Sequence, residues 1–224
     1  MSKRAQRLPI VILISGSGSN LRAIAERAQS GALPVEIRAV VSDRADAPGL
    51  GWAARTGIPA ITVPRGEFPD ADAFDRELAG CIERYQPGLV VLAGFMRVLG
   101  AAFVDRYAGR MLNIHPSLLP KYRGLHTHRR VLEAGDREHG ASVHFVTREL
   151  DGGPVVAQAR VPVLAGDDEV SLAARVLRQE HRLYPECIGW FAEGRLLYRA
   201  GSALLDGRVL ESPIIFEASG EVAA

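Results

Sequence analysis

Asn113 and His115 stand two residues apart at the end of the apolar run Met111-Leu112-Asn113-Ile114-His115, and Pro116 follows at once. Strand side chains alternate, so the two emerge on one face about 6–7 Å apart. An amide that donates and an imidazole that titrates near neutrality can together meet an oxyanion developing at a carbonyl carbon. A second set lies near the start, where Ser15-Gly16-Ser17-Gly18-Ser19-Asn20 precedes Leu21, Ile24, Ala25 and Ala28 at helical spacing. Strand, glycine turn and helix aim free backbone N–H groups at an anion; Gly18 permits close approach, and Ser19 and Asn20 add side-chain donors. A dinucleotide fingerprint, G-x-G-x-x-G, would need a third glycine where this chain has Leu21, although Asp43 would suit such a site as a ribose ligand.

These groups need a sheet to hold them. Apolar runs predict strands at Pro9–Ile14, Glu36–Val41, Pro59–Val63, Leu89–Ala93 and Met111–Ile114, with Pro116 stopping the last. Between them the spacing predicts a helix from Leu21 to about Ser30, a short one over Gly49–Thr56, and one from Asp70 or Asp72 to Tyr85 that buries Phe74, Leu78, Cys81 and Ile82. A helix ends over Val131–Gly135, and strands follow at Ala141–Thr147 and Pro154–Arg160; His144, between Val143 and Phe145, reads as a structural hydrogen-bonder. Asp167-Asp168-Glu169 opens a long helix, 169–193, acidic at its positive end, and Leu196–Tyr198 with the Asp206-Gly207 turn predicts a small closing hairpin. The fold class is α/β: a doubly wound, mainly parallel sheet with helices on both faces. One unit is expected, its halves 8–110 and 111–195 meeting at the strand that ends in His115, with a tail over 196–224. His115 then sits at the carboxyl end of a strand, where such sheets place ligands.

A net charge of +1 gives no electrostatic case for nucleic acid or anionic membrane, and the apolar run behind the basic start stops at Ser15-Gly16, too short for a membrane span. Cys81 and Cys187 are far apart and read as buried reduced thiols. His126 and His128 have no third ligand nearby, so no metal is expected. The expected location is the cytoplasm.

Asn113-Ile114-His115-Pro116-Ser117-Leu118-Leu119-Pro120 resembles the signature of the folate-dependent formyltransferases, and the resemblance runs from about Ile10 to Arg195. It implies a formyltransferase fold with a Rossmann-like first half and 10-formyltetrahydrofolate as co-substrate. It implies that Asp151, in Glu149-Leu150-Asp151-Gly152-Gly153-Pro154, joins Asn113 and His115 as the catalytic set. A carboxylate beside His115 would favour its charged form, so a protonated His115 that donates to the oxyanion is the expectation. In family members that formylate 5-phosphoribosylglycinamide for purine synthesis, the segment matching Gly18-Ser19-Asn20 holds the phosphate and the residue matching Glu180 contacts the ribonucleotide. The folate would lie against Met96, Arg97, Val98 and Leu99, with Asn113, Val146, Thr147 and Asp151 as further contacts. Relatives carry a basic residue near Ala71 for the folate tail, and here Arg65 or Arg97 is the substitute; relatives also show Asn where this chain has Asp43.

The function implied is formyl transfer to the amine of 5-phosphoribosylglycinamide, with the two small molecules as partners and a homodimer left open. A formyltetrahydrofolate hydrolase would share Asn113, His115 and Asp151 but follow a regulatory domain, whereas the first strand here starts near residue 9. A methionyl-tRNA formyltransferase would add a C-terminal domain and a basic surface. A non-catalytic dinucleotide-binding module would have no use for N-x-H-P-S.

Overall fold

Apolar runs become the strands of one sheet, and the central ones, Leu8–Ile14, Leu89–Leu92 and Met111–His115, are buried on both faces. The computed structural model describes residues 7–216; the basic start, Met1–Gln6, and residues 217–224 of the tail lie outside them. Strands β1 (Leu8–Ile14), β2 (Val35–Ser42), β3 (Ala60–Thr62), β4 (Leu89–Leu92), β5 (Met111–His115) and β6 (Glu138–Phe145) alternate with helices, and β7 (Val155–Pro162) follows β6 directly. These are α1 (Ser19–Gln29), α2 (Pro48–Arg55), α3 (Ala71–Glu83), α4 (Ala101–Arg106), α5 (Thr127–Ala134) and α6 (Glu169–Ala192). After α6 come β8 (Leu196–Arg199), β9 (Ser202–Leu205), β10 (Arg208–Val209) and β11 (Ile214–Phe216). The main sheet has the order β11-β7-β6-β5-β4-β1-β2-β3. From β3 to β5 all pairs are parallel; β6 then pairs antiparallel with both β5 and β7, and β11 pairs parallel with β7.

Alternation along β1 shows why its sequence is continuously apolar. Ile10, Ile12 and Ile14 join the core under α1, α2 and α6, while Val11 and Leu13 join the core under α3 and α4. On β5, Leu112 and Ile114 belong to the α6 core. Met111 lies in the α3–α4 core, and strand alternation puts Asn113 and His115 on that same face, beyond the cover of these two helices. The switch point falls between β1 and β4, where the chain turns from building toward β3 to building toward β5, so a crevice opens at their carboxyl ends.

Helix ends follow local chemistry. Asp70 accepts the Ala73 N–H at 2.7 Å and starts α3, and Asp168 with Ser171 forms a reciprocal capping box at the start of α6. Tyr184, which the sequence does not mark out, sits fully buried on α6 with its hydroxyl 2.8 Å from the Leu112 carbonyl and 3.0 Å from that of Leu92. This pins α6 to the two strands that flank the crevice. Cys81 and Cys187 are both buried free thiols.

Two features differ from the sequence reading. α4 is extra; its six residues are too few for helical periodicity to register. The tail is more than a hairpin: β8, β9 and β10 form a three-stranded sheet with turns at Ala200-Gly201 and Asp206-Gly207, and β11 adds an edge strand to the main sheet. Among the described residues, no helix is long and apolar enough to cross a membrane.

Candidate active site

A cavity of about 560 Å³ opens at the carboxyl ends of β1, β4 and β5. Gly16–Asn20, Gly94–Val98, Asn113–Pro116, Gly124–His128, Leu150, Asp151 and Glu180 line it. A smaller hollow of about 80 Å³ adjoins it, sharing Arg97, Val98, Asn113 and Asp151 and adding Leu99, Val146 and Thr147. The residues singled out in the sequence therefore meet along one continuous crevice.

β5 delivers Asn113 and His115, and the loop after β6 folds back to deliver Asp151 with a left-handed φ of 47°. His115 Nε2 lies 3.0 Å from the Tyr122 carbonyl, which can only accept, so Nε2 carries a proton; Nδ1 faces Asp151 Oδ2 at 3.4 Å. Asp151 also accepts the Gly124 N–H at 2.9 Å and lies 3.6 Å from His144 Nε2. His144 places Nδ1 against the Phe145 carbonyl at 2.9 Å, leaving Nε2 to accept one Asn113 amide N–H at 3.1 Å. An amide has two such hydrogens, so Asn113 keeps one for the cavity. The loop 121–126 thus contributes backbone groups, Tyr122 C=O and Gly124 N–H, to the His115–Asp151 pair, and no residue type announces these in the sequence.

Two opposing influences act on His115. Burial lowers its pKa, the Tyr122 carbonyl and Asp151 pull it back only in part, and it stays below the ordinary histidine value. Asp151 behaves oppositely: burial would raise its carboxyl, but its close neighbours, the Gly124 N–H among them, outweigh that and hold it below the usual carboxylate value. The lowered His115 pKa and the carboxylate facing Nδ1 make a pair in which the ring can take up a proton and Asp151 can stabilise the charge that results.

At the other end of the cavity, Gly18 has a φ of 71° and starts α1 without a side-chain cap, so the first-turn N–H groups face the crevice. A Cβ on Gly18 would lie 2.9 Å from the Gly49 Cα. The Asn20 amide donates one of its two N–H groups to Glu180 Oε2 at 2.7 Å. Burial raises the Glu180 carboxyl, a shift only partly offset by Asn20. Asp43, weighed as a ribose ligand, is buried behind the cavity wall and accepts from Ser15 Oγ at 2.6 Å and Arg97 Nε at 2.5 Å. Arg65 spends one guanidinium N–H on the Phe68 carbonyl.

His128 does not pair with His126; its Nδ1 meets His139 Nε2 at 3.0 Å. Among the described residues, no group of three or more His, Cys, Asp or Glu could hold a metal ion. Burial, with His128 and His115 adding to it, pushes His139 down to about 4, against about 6.5 when unfolded. Below pH 6.5 the unfolded chain takes up a proton that the native one refuses, so stability falls on acidification through that window by roughly 1–2 kcal/mol per pH unit. Denaturant midpoints measured from pH 7 to pH 4.5 are expected to fall accordingly, and His139→Gln is expected to flatten the slope.

Known proteins resemble this chain along most of its length. The formyl transferase family model matches residues 8–188. The phosphoribosylglycinamide formyltransferase of Escherichia coli K12 is 58% identical over 201 residues, covering 90% of this chain and 95% of that protein. The solved phosphoribosylglycinamide formyltransferase of Coxiella burnetii matches with a TM-score of 0.90 at 53% identity, over 94% of this chain and 99% of that one. A formyltetrahydrofolate deformylase of Pseudomonas syringae matches with a TM-score of 0.83 at 26% identity, and this chain covers 66% of it.

Proposed function

The chain belongs to the formyl transferase family, and from that membership we propose that it moves the formyl group of 10-formyltetrahydrofolate onto the amine of 5-phosphoribosylglycinamide, a step of purine synthesis. The observation that carries this reading is the meeting, in one cavity, of a helix N-terminus suited to phosphate with the Asn113, His115 and Asp151 cluster. A hydrolase needs the second feature and has no use for the first.

The chain acts as one unit: residues 8–110 hold the ribonucleotide phosphate, and 111–195 carry the reacting groups. Gly18, Ser19 and Asn20 offer backbone N–H groups to the phosphate, and Glu180, braced by Asn20, faces the sugar and glycinamide. Met96 to Leu99 on one side and Val146, Thr147 and Asp151 on the other hold the folate. When the amine attacks the formyl carbon, the second Asn113 N–H stabilises the oxyanion. Nδ1 of neutral His115 takes the proton leaving the amine, and ionised Asp151 stabilises the imidazolium as it forms. The same proton then serves the folate nitrogen as its bond to carbon breaks. His115 is the group that carries the proton in this scheme, and the cytoplasm is where it runs.

Incubation with 10-formyltetrahydrofolate, with and without the ribonucleotide, tests the reaction. Formyl transfer that depends on the ribonucleotide is expected; deformylation of the folate without it would overturn the assignment. Within it, Gly18→Val tests the phosphate end. The new side chain would adopt a strained φ and press on Gly49, so the ribonucleotide KM should rise by roughly tenfold or more, with the folate KM little changed. Equal rises in both would make the turn structural only.

A further inference from the structure

Residues 95–100, part of the wall between the cavity and its side hollow, have no regular secondary structure, so a few bonds decide where they sit. Met96 N–H donates to Ser15 Oγ at 2.8 Å, and that hydroxyl donates in turn to Asp43 Oδ1 at 2.6 Å. Arg97 Nε donates to the other carboxylate oxygen, Oδ2, at 2.5 Å. Asp43 is 4% exposed and Ser15 7%, so neither can exchange these partners for bulk water. A buried carboxylate stripped of its cation is costly, which makes the arrangement all-or-none rather than loosely adjustable. The three residues gather the ends of β1, β2 and β4 at the switch point, and Asp43 stands behind the wall rather than in the cavity. The phosphate turn is held separately, by α1 and by the Gly49 N–H on the Gly16 carbonyl at 3.1 Å.

We propose that Asp43 is a positioning residue for the folate half of the site: through Ser15 and Arg97 it fixes the Met96–Arg97 wall against which the folate lies. The inference rests on the assignment of that wall to the folate. Asp43 touches no substrate, and its effect should be selective because the phosphate turn does not depend on it. Asparagine can keep the geometry, accepting from Arg97 through its oxygen and donating to Ser15 through its nitrogen. Alanine can do neither. Ser15→Ala removes the link to Met96 together with the Ser15–Asp43 bond and leaves the Asp43–Arg97 pair in place.

The experiment measures both KM values, kcat and the tetrahydrofolate Kd by calorimetry for wild type, Asp43→Ala, Asp43→Asn and Ser15→Ala. Losing a hydrogen bond to a charged group predicts that Asp43→Ala raises the folate KM and the tetrahydrofolate Kd by about tenfold or more. The ribonucleotide KM should stay within about twofold, a change of less than half a kcal/mol. Asp43→Asn should recover most of the loss, and Ser15→Ala should fall between. If Asp43→Ala does not fold, Ser15→Ala carries the decision. Equal rises in both KM values, or an unchanged tetrahydrofolate Kd in Ser15→Ala, would overturn the proposal. Because the Kd is read without turnover, a failure of the assigned reaction is distinguishable from a failure of this role.

Discussion

Asp151→Asn should lower kcat by about 10²–10⁴ and move the acid limb of its pH profile to lower pH. Burial already depresses the His115 pKa, and the charge of Asp151 is one of the influences holding it up. With that charge gone, His115 must titrate lower still. If neutral His115 is the working form, activity is lost when it protonates, so a lower pKa carries that loss to lower pH. The plateau above it also drops, because a weaker base forms an imidazolium with no carboxylate 3.4 Å away to stabilise it. A resident imidazolium would behave in the opposite way, and activity in Asp151→Asn would recover on acidification. His115→Ala should be slow at every pH. Adding Asp151→Asn to it should cost little more, since partners in one unit are not additive. Multiplicative losses would show that Asp151 does not work through His115.

Asn113→Ala is expected to cut kcat by about 10²–10³ while both substrates still bind, the usual scale for one lost oxyanion donor. The remaining Asn113 contact is with His144 Nε2, which in the variant would face Asp151 alone. His144 gives that contact a purpose: it fixes the amide so that the second N–H points into the cavity. Steady-state kinetics with both substrates check this, and near-normal turnover would remove Asn113 from the mechanism.

What the sequence makes legible is what repeats locally. The Met111–His115 run, the glycine turn before Leu21 and the apolar face of α6 each carry their own period and punctuation, and all three stand where they were expected. The proximity of Asp151 to His115 came through family resemblance, because the loop that returns it obeys no periodicity. The burial that lowers the His115 pKa was not legible, because the sequence shows only the neighbouring carboxylate. The bond between Asn20 and Glu180 was not legible, because the two lie 160 residues apart in the chain. Tyr122 and Gly124 act through backbone groups that every residue has. Asp43, read for its charge alone, could not announce that Ser15 and Arg97 use both of its oxygens.

The edge strand β11 also bears on how the chain matures. Ile214 to Phe216 pairs with Ala157 to Ala159 across the whole of α6 and the three-stranded sheet, so it can dock only after those parts exist. Every strand that carries a reacting group precedes it, and β4, β5 and β6 pair among themselves through shorter connections. During synthesis the crevice can therefore assemble before the outer edge is sealed, which leaves β7 briefly as an open edge able to pair with another chain. The Trp190 ring, 5.9 Å from that of Phe216, sits where the strand arrives, so tryptophan emission follows that sealing step directly.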